Sequence, residues 1–172
     1  MKGWIDEELW KKMQKLIPIV TIDVLPLHKV KEKNLVNVGL ILRETADEGK
    51  KWCFIGGRLL YGEKLWDGVK RQIEITLGEN LSVKVNKEGQ QPLFVAQYFD
   101  YKDDVFLRDP RQHAVGLTYS VYLTGSVSPR GEAMDFKWFP LDALPDKNQF
   151  GFNHDKLLDI MIELLEKRNF HV

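Results

Sequence analysis

Two consecutive glycines, Gly56 and Gly57, stand where a short apolar run, Trp52 to Ile55, gives way to a stretch that can be helical from about Glu63 to Leu77. Glycine tolerates positive φ and lets a ligand approach the backbone closely, so a strand-to-helix turn of this kind can hold a ligand against the chain. In the following stretch Glu63, Asp67, Arg71 and Glu74 share a stripe on which ion pairs form, and an Arg71–Glu63 pair would lock the turn. Two loops carry groups able to move a proton. Glu132, beside Arg130, is either a solvated acid or a group that activates water or binds a hard cation, and His113 in LRDPRQHA titrates near neutrality. Asp23 lies in a strand that should be largely apolar, where burial demands a hydrogen-bond partner from ligand or backbone. Asp100, Asp103 and Asp104 either meet sugar hydroxyls or a cation, or form a solvated turn. His28, His154 and His171 have weaker claims, and no histidine pairs with a cysteine or histidine at the spacing of a zinc site.

These groups need elements to position them. Asp6 can cap a first helix, 5–17, whose apolar stripe is Leu9, Trp10, Met13, Leu16 and Ile17. Strands are expected at Ile19 to Leu27, Asn37 to Arg43, Lys51 to Ile55, Leu81 to Val85, Leu93 to Tyr101, Val115 to Val127 and Asp135 to Phe139. Leu65, Trp66, Val69, Ile73 and Leu77 give the central helix an apolar face, and a C-terminal helix, 153–168, repeats the pattern from Leu157 to Leu165. Among the tyrosines and phenylalanines of the strands, Tyr98, Phe99, Tyr101, Tyr119 and Tyr122 either stack on a base or fill the core. The sum is an α/β (α+β) protein with a mixed β-sheet between helices, in a single domain over 1–172.

Composition narrows the class. The formal net charge is zero, which gives no electrostatic case for nucleic acid or an anionic membrane surface. One cysteine, Cys53, excludes an intramolecular disulfide and agrees with a reducing compartment, and no apolar run approaches about 20 residues. A cytoplasmic protein is expected.

The segment GGRLLYGEKLWDGVKRQIEITLGE resembles a Nudix box: glycine, five residues, glutamate, seven residues, then Arg-Glu-apolar-x-Glu-Glu-x-Gly-apolar. Gly57, Glu63, Arg71, Ile73 and Gly78 fall in register, whereas Gln72, Ile75 and Thr76 stand where the pattern has further glutamates. Over roughly Ile17 to Leu165 the chain is most similar, within that superfamily, to GDP-mannose mannosyl hydrolases, through PIVTIDVLPL, LILRE, YFDYKDDVF, DFKWFPLDAL and GFNHDKL. The resemblance implies a Nudix-type α/β/α sandwich, a homodimer, Mg²⁺ (or Mn²⁺) as cofactor, and a nucleotide-sugar substrate cleaved to GDP and free sugar. It implies that Arg43 stabilises the departing diphosphate, that Arg58 and Arg71 contact diphosphate or sugar, and that Gly56 offers its carbonyl to the metal; a hydrolase reading adds Gln72 and Glu132 around the metal and Asp23, Asp103 and Asp104 as substrate contacts. The family's catalytic histidine aligns with Ala133, so Glu132 and His113 are the remaining candidates for the base. Glu74 lies about 160° around the helix from Gln72 and Thr76 and so does not replace a ligand.

Two readings follow: a divergent Mg²⁺-dependent hydrolase of a GDP-mannose-like nucleotide sugar, or a Nudix domain that binds a nucleotide or a partner protein without turnover. Ordinary pyrophosphate cleavage of a nucleoside diphosphate derivative relies most on the replaced carboxylates.

Overall fold

A computed structural model of the chain describes residues 5–30, 35–85, 90–101 and 105–168. Asp103, Asp104 and His171 lie outside the described residues. The elements are α1 (Glu7–Leu16), β1 (Ile19–Val30), β2 (Leu35–Glu44), β3 (Lys50–Cys53), β4 (Ile55–Arg58), α2 (Leu65–Leu77), β5 (Leu81–Lys84), β6 (Phe94–Phe99), β7 (Leu107–Arg108), β8 (Ala114–Gly125), β9 (Asp135–Pro140) and α3 (His154–Lys167). Together they build a curled mixed sheet flanked by helices, the α/β/α sandwich expected from the sequence.

β1 organises the sheet. It runs parallel to β8 from Ile19 to Leu27, and on its other edge it changes partner, with Thr21–Val24 antiparallel to β4 and Leu27–Val30 antiparallel to β2. Side chains from Ile22 to Leu27 are buried without alternation, the signature of a central strand covered on both faces. β2 continues the sheet to β3 and β9, and β8 to β5 and β6, with β7 beside β6. The core gathers Ile22, Val24 and Leu27 of β1, Leu40 of β2, Val69, Ile73 and Leu77 of α2, Tyr119 of β8 and Leu157, Leu158 and Met161 of α3.

Two departures from the sequence reading shape the site. The apolar run Trp52–Ile55 is two strands rather than one, broken at Phe54, and both glycines of the turn are themselves strand residues of β4. Period-2 alternation then puts Gly56 and Gly57 on opposite faces of β4. Gly56 leaves room for Asp23, whose Oδ1 would be 2.6 Å from an added Cβ, and Gly57 leaves room for Gln72, whose amide nitrogen would be 2.5 Å away. The second departure is α1. Asp6 caps it as expected, accepting from the Leu9 amide at 2.9 Å, but no residue of the helix is buried, and Leu9, Leu16 and Ile17 stay exposed. Its charged side holds itself together through Glu7–Lys11 and Glu8–Lys12 pairs.

Candidate functional site

A cavity of about 430 Å³ opens where β4, the N-terminal half of β1, α2 and the loop before β9 meet. Of the residues expected at a site, it gathers Asp23, Arg43, Gly56, Gly57, Arg58, Arg71, Gln72, Ile75, Thr76 and Glu132. It adds Trp10 and Gln14 from α1, Tyr98 from β6, Arg111 from the loop before β8, and Phe152 and His154 from the start of α3. Glu74 does not line it, as its place on the helix requires.

Arg71 and Glu63 form the expected lock. Nε and Nη2 of Arg71 donate to Glu63 Oε1 and Oε2 at 2.5 and 2.8 Å, Nη2 also reaches the Arg58 carbonyl, and Glu63 accepts from the Leu60 amide. This bidentate pair, nearly sealed from water, holds the Glu63 carboxyl below its ordinary range and fixes the loop between β4 and α2. Glu63 lies before the helix rather than in it, since α2 begins at Leu65.

Glu132 sits at the cavity mouth and is paired at 2.7 Å with Arg43 of β2. Burial raises its carboxyl, while Arg43 and Arg111 pull it down. The expected neighbour Arg130 turns elsewhere, donating to the Glu74 carbonyl and to Glu79. His113 is corrected more fundamentally. Gln112 and Ala114 line the cavity, so alternation turns His113 away, and its ring stacks on Phe99 with centroids 4.8 Å apart. It is not among the residues that line the cavity.

Asp23 is the buried acid of the site. Tyr98 donates its hydroxyl to Asp23 Oδ2 at 3.1 Å, and His154 Nε2 lies 3.1 Å from the same hydroxyl. Because His154 Nδ1 accepts the Phe54 amide at 3.0 Å, the proton of the neutral ring sits on Nε2. A directed chain results: His154 donates to Tyr98, which donates to Asp23. Burial lowers His154 to about 3, with Arg43 adding to the effect, so the ring stays neutral and the direction of the chain is fixed. Burial likewise pushes Asp23 up to about 7, against the pull of the Tyr98 hydrogen bond. Gly116 of β8 makes this possible, since a Cβ there would overlap Asp23 Oδ2 and lie 2.8 Å from the Tyr98 ring.

Arg111 and Phe152 were not singled out in the sequence. Arg111 binds Asp109 through two hydrogen bonds of 2.7 and 2.9 Å, and the buried Asp109 also accepts from the Arg111 amide and from Gln112. An aspartate accepting from the amide two residues on is a turn signal that could have drawn attention to this loop. The Phe152 ring is flanked by the guanidiniums of Arg43 and Arg111, at 5.6 and 5.3 Å from its centroid. Its backbone is left-handed, φ 60°, and Asn153 follows at φ 59°. A bulky aromatic pays for that conformation, and surrounding contacts hold it: Glu48 accepts the Phe152 amide at 3.1 Å and Asn153 donates to the Phe106 carbonyl. The third cationic contact is Arg58, whose guanidinium lies 4.5 Å from the Trp10 ring centroid.

The donor set does not suit a hard divalent cation. Where the box pattern calls for carboxylates, α2 presents a buried amide at Gln72, an apolar chain at Ile75 and a buried hydroxyl at Thr76. Among the described residues, no group of three or more His, Cys, Asp or Glu side chains is placed to hold a metal ion. Gly56, Gln72 and Glu132, the shell expected from the sequence, line the same cavity and bring one carboxylate among them. Cys53 is buried and its thiol is pushed up to about 12, which leaves it inert.

Comparison with known proteins agrees with this architecture. A possible asymmetric diadenosine tetraphosphate (Ap4A) hydrolase from Jonesia denitrificans superposes with a TM-score of 0.74 at 28% identity, over 87% of this chain and 95% of that one. The NUDIX domain of Shewanella oneidensis NrtR, complexed with ADP ribose, gives 0.60 at 16% identity over 94% of each chain. A bifunctional NMN adenylyltransferase/ADP ribose pyrophosphatase from Francisella tularensis, complexed with AMP and a Mn ion, gives 0.61 at 16% identity, over 91% of this chain and 44% of that one. No curated protein matches the chain in sequence. Among the described residues no helix is long and apolar enough to cross a membrane. The chain has the Nudix hydrolase fold, and it belongs to the family described as a domain of unknown function (DUF4916), which matches residues 1–162.

Proposed function

We propose that this protein hydrolyses a nucleoside diphosphate derivative, a nucleotide sugar of the GDP-mannose kind. The observation that carries this reading is the convergence of Arg43, Arg58 and Arg111 from three separate elements on one cavity beside the Gly56-Gly57 pair. Guanidiniums offer several fixed donors, so such a cluster suits the paired phosphates of a diphosphate better than a single anion. Trp10 lies in the same cavity, giving a base or sugar ring an apolar face.

Asp23 is the proton acceptor in this reading. Its Oδ2 is taken by Tyr98, and its Oδ1, beside Gly56, receives no hydrogen bond from a described residue. With its carboxyl raised to about 7, Asp23 holds and releases a proton near neutrality, as a general base must. Water gives its proton to Asp23 as its oxygen bonds to the electrophilic carbon or phosphorus. The scissile bond breaks with its electron pair going to the leaving phosphate oxygen, whose charge the arginines offset.

The second reading, binding without turnover, is favoured by the neutral side chains at the box positions. Phosphorus NMR separates the outcomes, using GDP-mannose, ADP-ribose and Ap4A, the last two being compounds named for the structural relatives. GDP alone from GDP-mannose places attack at the sugar carbon, and GMP with sugar phosphate places it at phosphorus. No product from any compound, with binding retained, would leave recognition as the function.

A further inference from the structure

We infer that the cavity binds its diphosphate ligand without a divalent cation, the guanidiniums of Arg43, Arg58 and Arg111 supplying the charge that a metal ion would otherwise bring. This deepens the reading above and rests on it.

The disagreement between fold and donor set is chemical. A divalent cation is held by several carboxylates that are otherwise uncompensated, and among the described residues this cavity offers one such group, Asp23. Of the lining carboxylates, Glu132 is engaged by Arg43, Asp109 by Arg111 and Gln112, and Asp23 by Tyr98 on Oδ2 alone. Two of the three are already neutralised by a guanidinium at hydrogen-bond distance. On α2 the logic is plainer. Gln72 and Thr76 are 4% and 2% exposed, so glutamates there would be buried charges in need of a cation. An amide and a hydroxyl have no such need. Gln72 is also committed to packing, since its amide fills the space that Gly57 leaves.

The cationic side of the cavity is built as a unit. Arg43 and Arg111 share the Phe152 ring, and hydrogen bonds through Glu48, the Arg108 amide and Asn153 tie that left-handed segment down. Burial and the neighbouring Arg71 guanidinium both weaken the hold of Arg58 on its proton, a situation that a bound anion relieves. Phe152 is a positioning residue: it aims two guanidiniums and need not touch the ligand.

Glu132 gives the inference a sign. If a cation were required, Glu132 would be its one carboxylate at the cavity mouth, and Glu132→Gln would weaken ligand binding. If Arg43 meets the phosphates directly, Glu132 competes with them, and the same substitution tightens binding.

The test is isothermal titration of the full chain with GDP-mannose and with ADP-ribose, each in Mg²⁺ and in EDTA. Manganese EPR runs alongside, to read free Mn²⁺ directly. The expected result is an affinity that changes by less than about twofold between Mg²⁺ and EDTA, with no loss of the free Mn²⁺ signal on adding protein. Glu132→Gln should bind about three- to tenfold tighter, because a carboxylate close to the phosphates is neutralised. Arg111→Gln should bind at least about tenfold weaker. Because that variant leaves the buried Asp109 without its cationic partner, Arg58→Gln, at a half-buried surface position, is measured beside it and should weaken binding as well. Binding in Mg²⁺ that is lost in EDTA, or a Glu132→Gln variant that binds more weakly, would overturn the inference while leaving the diphosphate reading intact. No binding of either compound in either buffer would overturn both.

Discussion

Replacing Asp23 with asparagine should flatten the pH dependence of stability, by an amount that follows from the burial of this one carboxyl. Folding takes Asp23 from an ordinary value of 3.8 up to about 7, because β1 removes the group from water. Between those values the folded chain holds the proton and the unfolded chain releases it. The contribution of Asp23 to stability is therefore fully present below about pH 4, declines as pH rises, and reaches its floor above about pH 7. A rise of that size corresponds to about 4 kcal/mol in all. Between about pH 5 and about pH 8 the decline from this group is about 2–3 kcal/mol. Asparagine does not ionise, matches the shape, and still accepts the Tyr98 hydroxyl. Urea unfolding of both proteins across that range should thus show Asp23→Asn gaining about 2–3 kcal/mol on the wild type as pH rises, with the slope against urea unchanged. A difference between the two proteins that stays constant with pH would refute the reasoning, because it would mean that Asp23 titrates alike folded and unfolded. The variant should also lose turnover at every pH, which would make the buried acid a case of stability given up for function.

Other consequences are as accessible. Arg43→Gln should lower turnover by about 10²–10³-fold, as expected when a donor to developing charge is removed, with the far-UV circular dichroism of the wild type; unchanged kinetics would take Arg43 out of the site. Gly116→Ala should cost about 1–3 kcal/mol by overpacking Asp23 and Tyr98, and thermal unfolding would show it. At Phe152, glycine accepts the left-handed backbone and alanine does not, so Phe152→Gly should be more stable than Phe152→Ala by about 1 kcal/mol, although both lose the ring that aims the arginines. Cys53 should resist a thiol reagent in the native protein and react only on unfolding, at a rate tracking the unfolded fraction; fast labelling of the folded chain would contradict its burial.

What could be read from the sequence was whatever depends on neighbours within one element. The Asp6 cap, the apolar stripe of α2, the stripe of α3 and the Arg71–Glu63 lock all arise from spacings of eight residues or fewer, and all are present in the fold. Strand ends moved by a few residues where tertiary pairing prolonged or shortened them, as when β1 runs on to Val30 to meet β2. β4 and β7 escaped notice because neither carries a strand-forming pattern of its own. β4 is a strand through its pairing with β1, and its glycines serve side chains from β1 and α2.

The site was half legible for the same reason. A carboxylate in an apolar strand announces that something must satisfy it, and Asp23 did so, but the sequence cannot say that Tyr98 and His154 are the answer. Those two reach it from β6 and from the first turn of α3, and Gly116 from β8 clears their space. Arg111 was hidden differently. Its loop carries His113, a residue of familiar chemistry, whereas the fold packs His113 against Phe99 and brings Gln112 and Arg111 to the cavity. The residues that define this cavity are thus mostly ones whose partners are distant in sequence. That is the pattern to expect if the local device of the fold, the carboxylate face of α2, no longer holds the ligand and the task has passed to groups assembled by the tertiary structure.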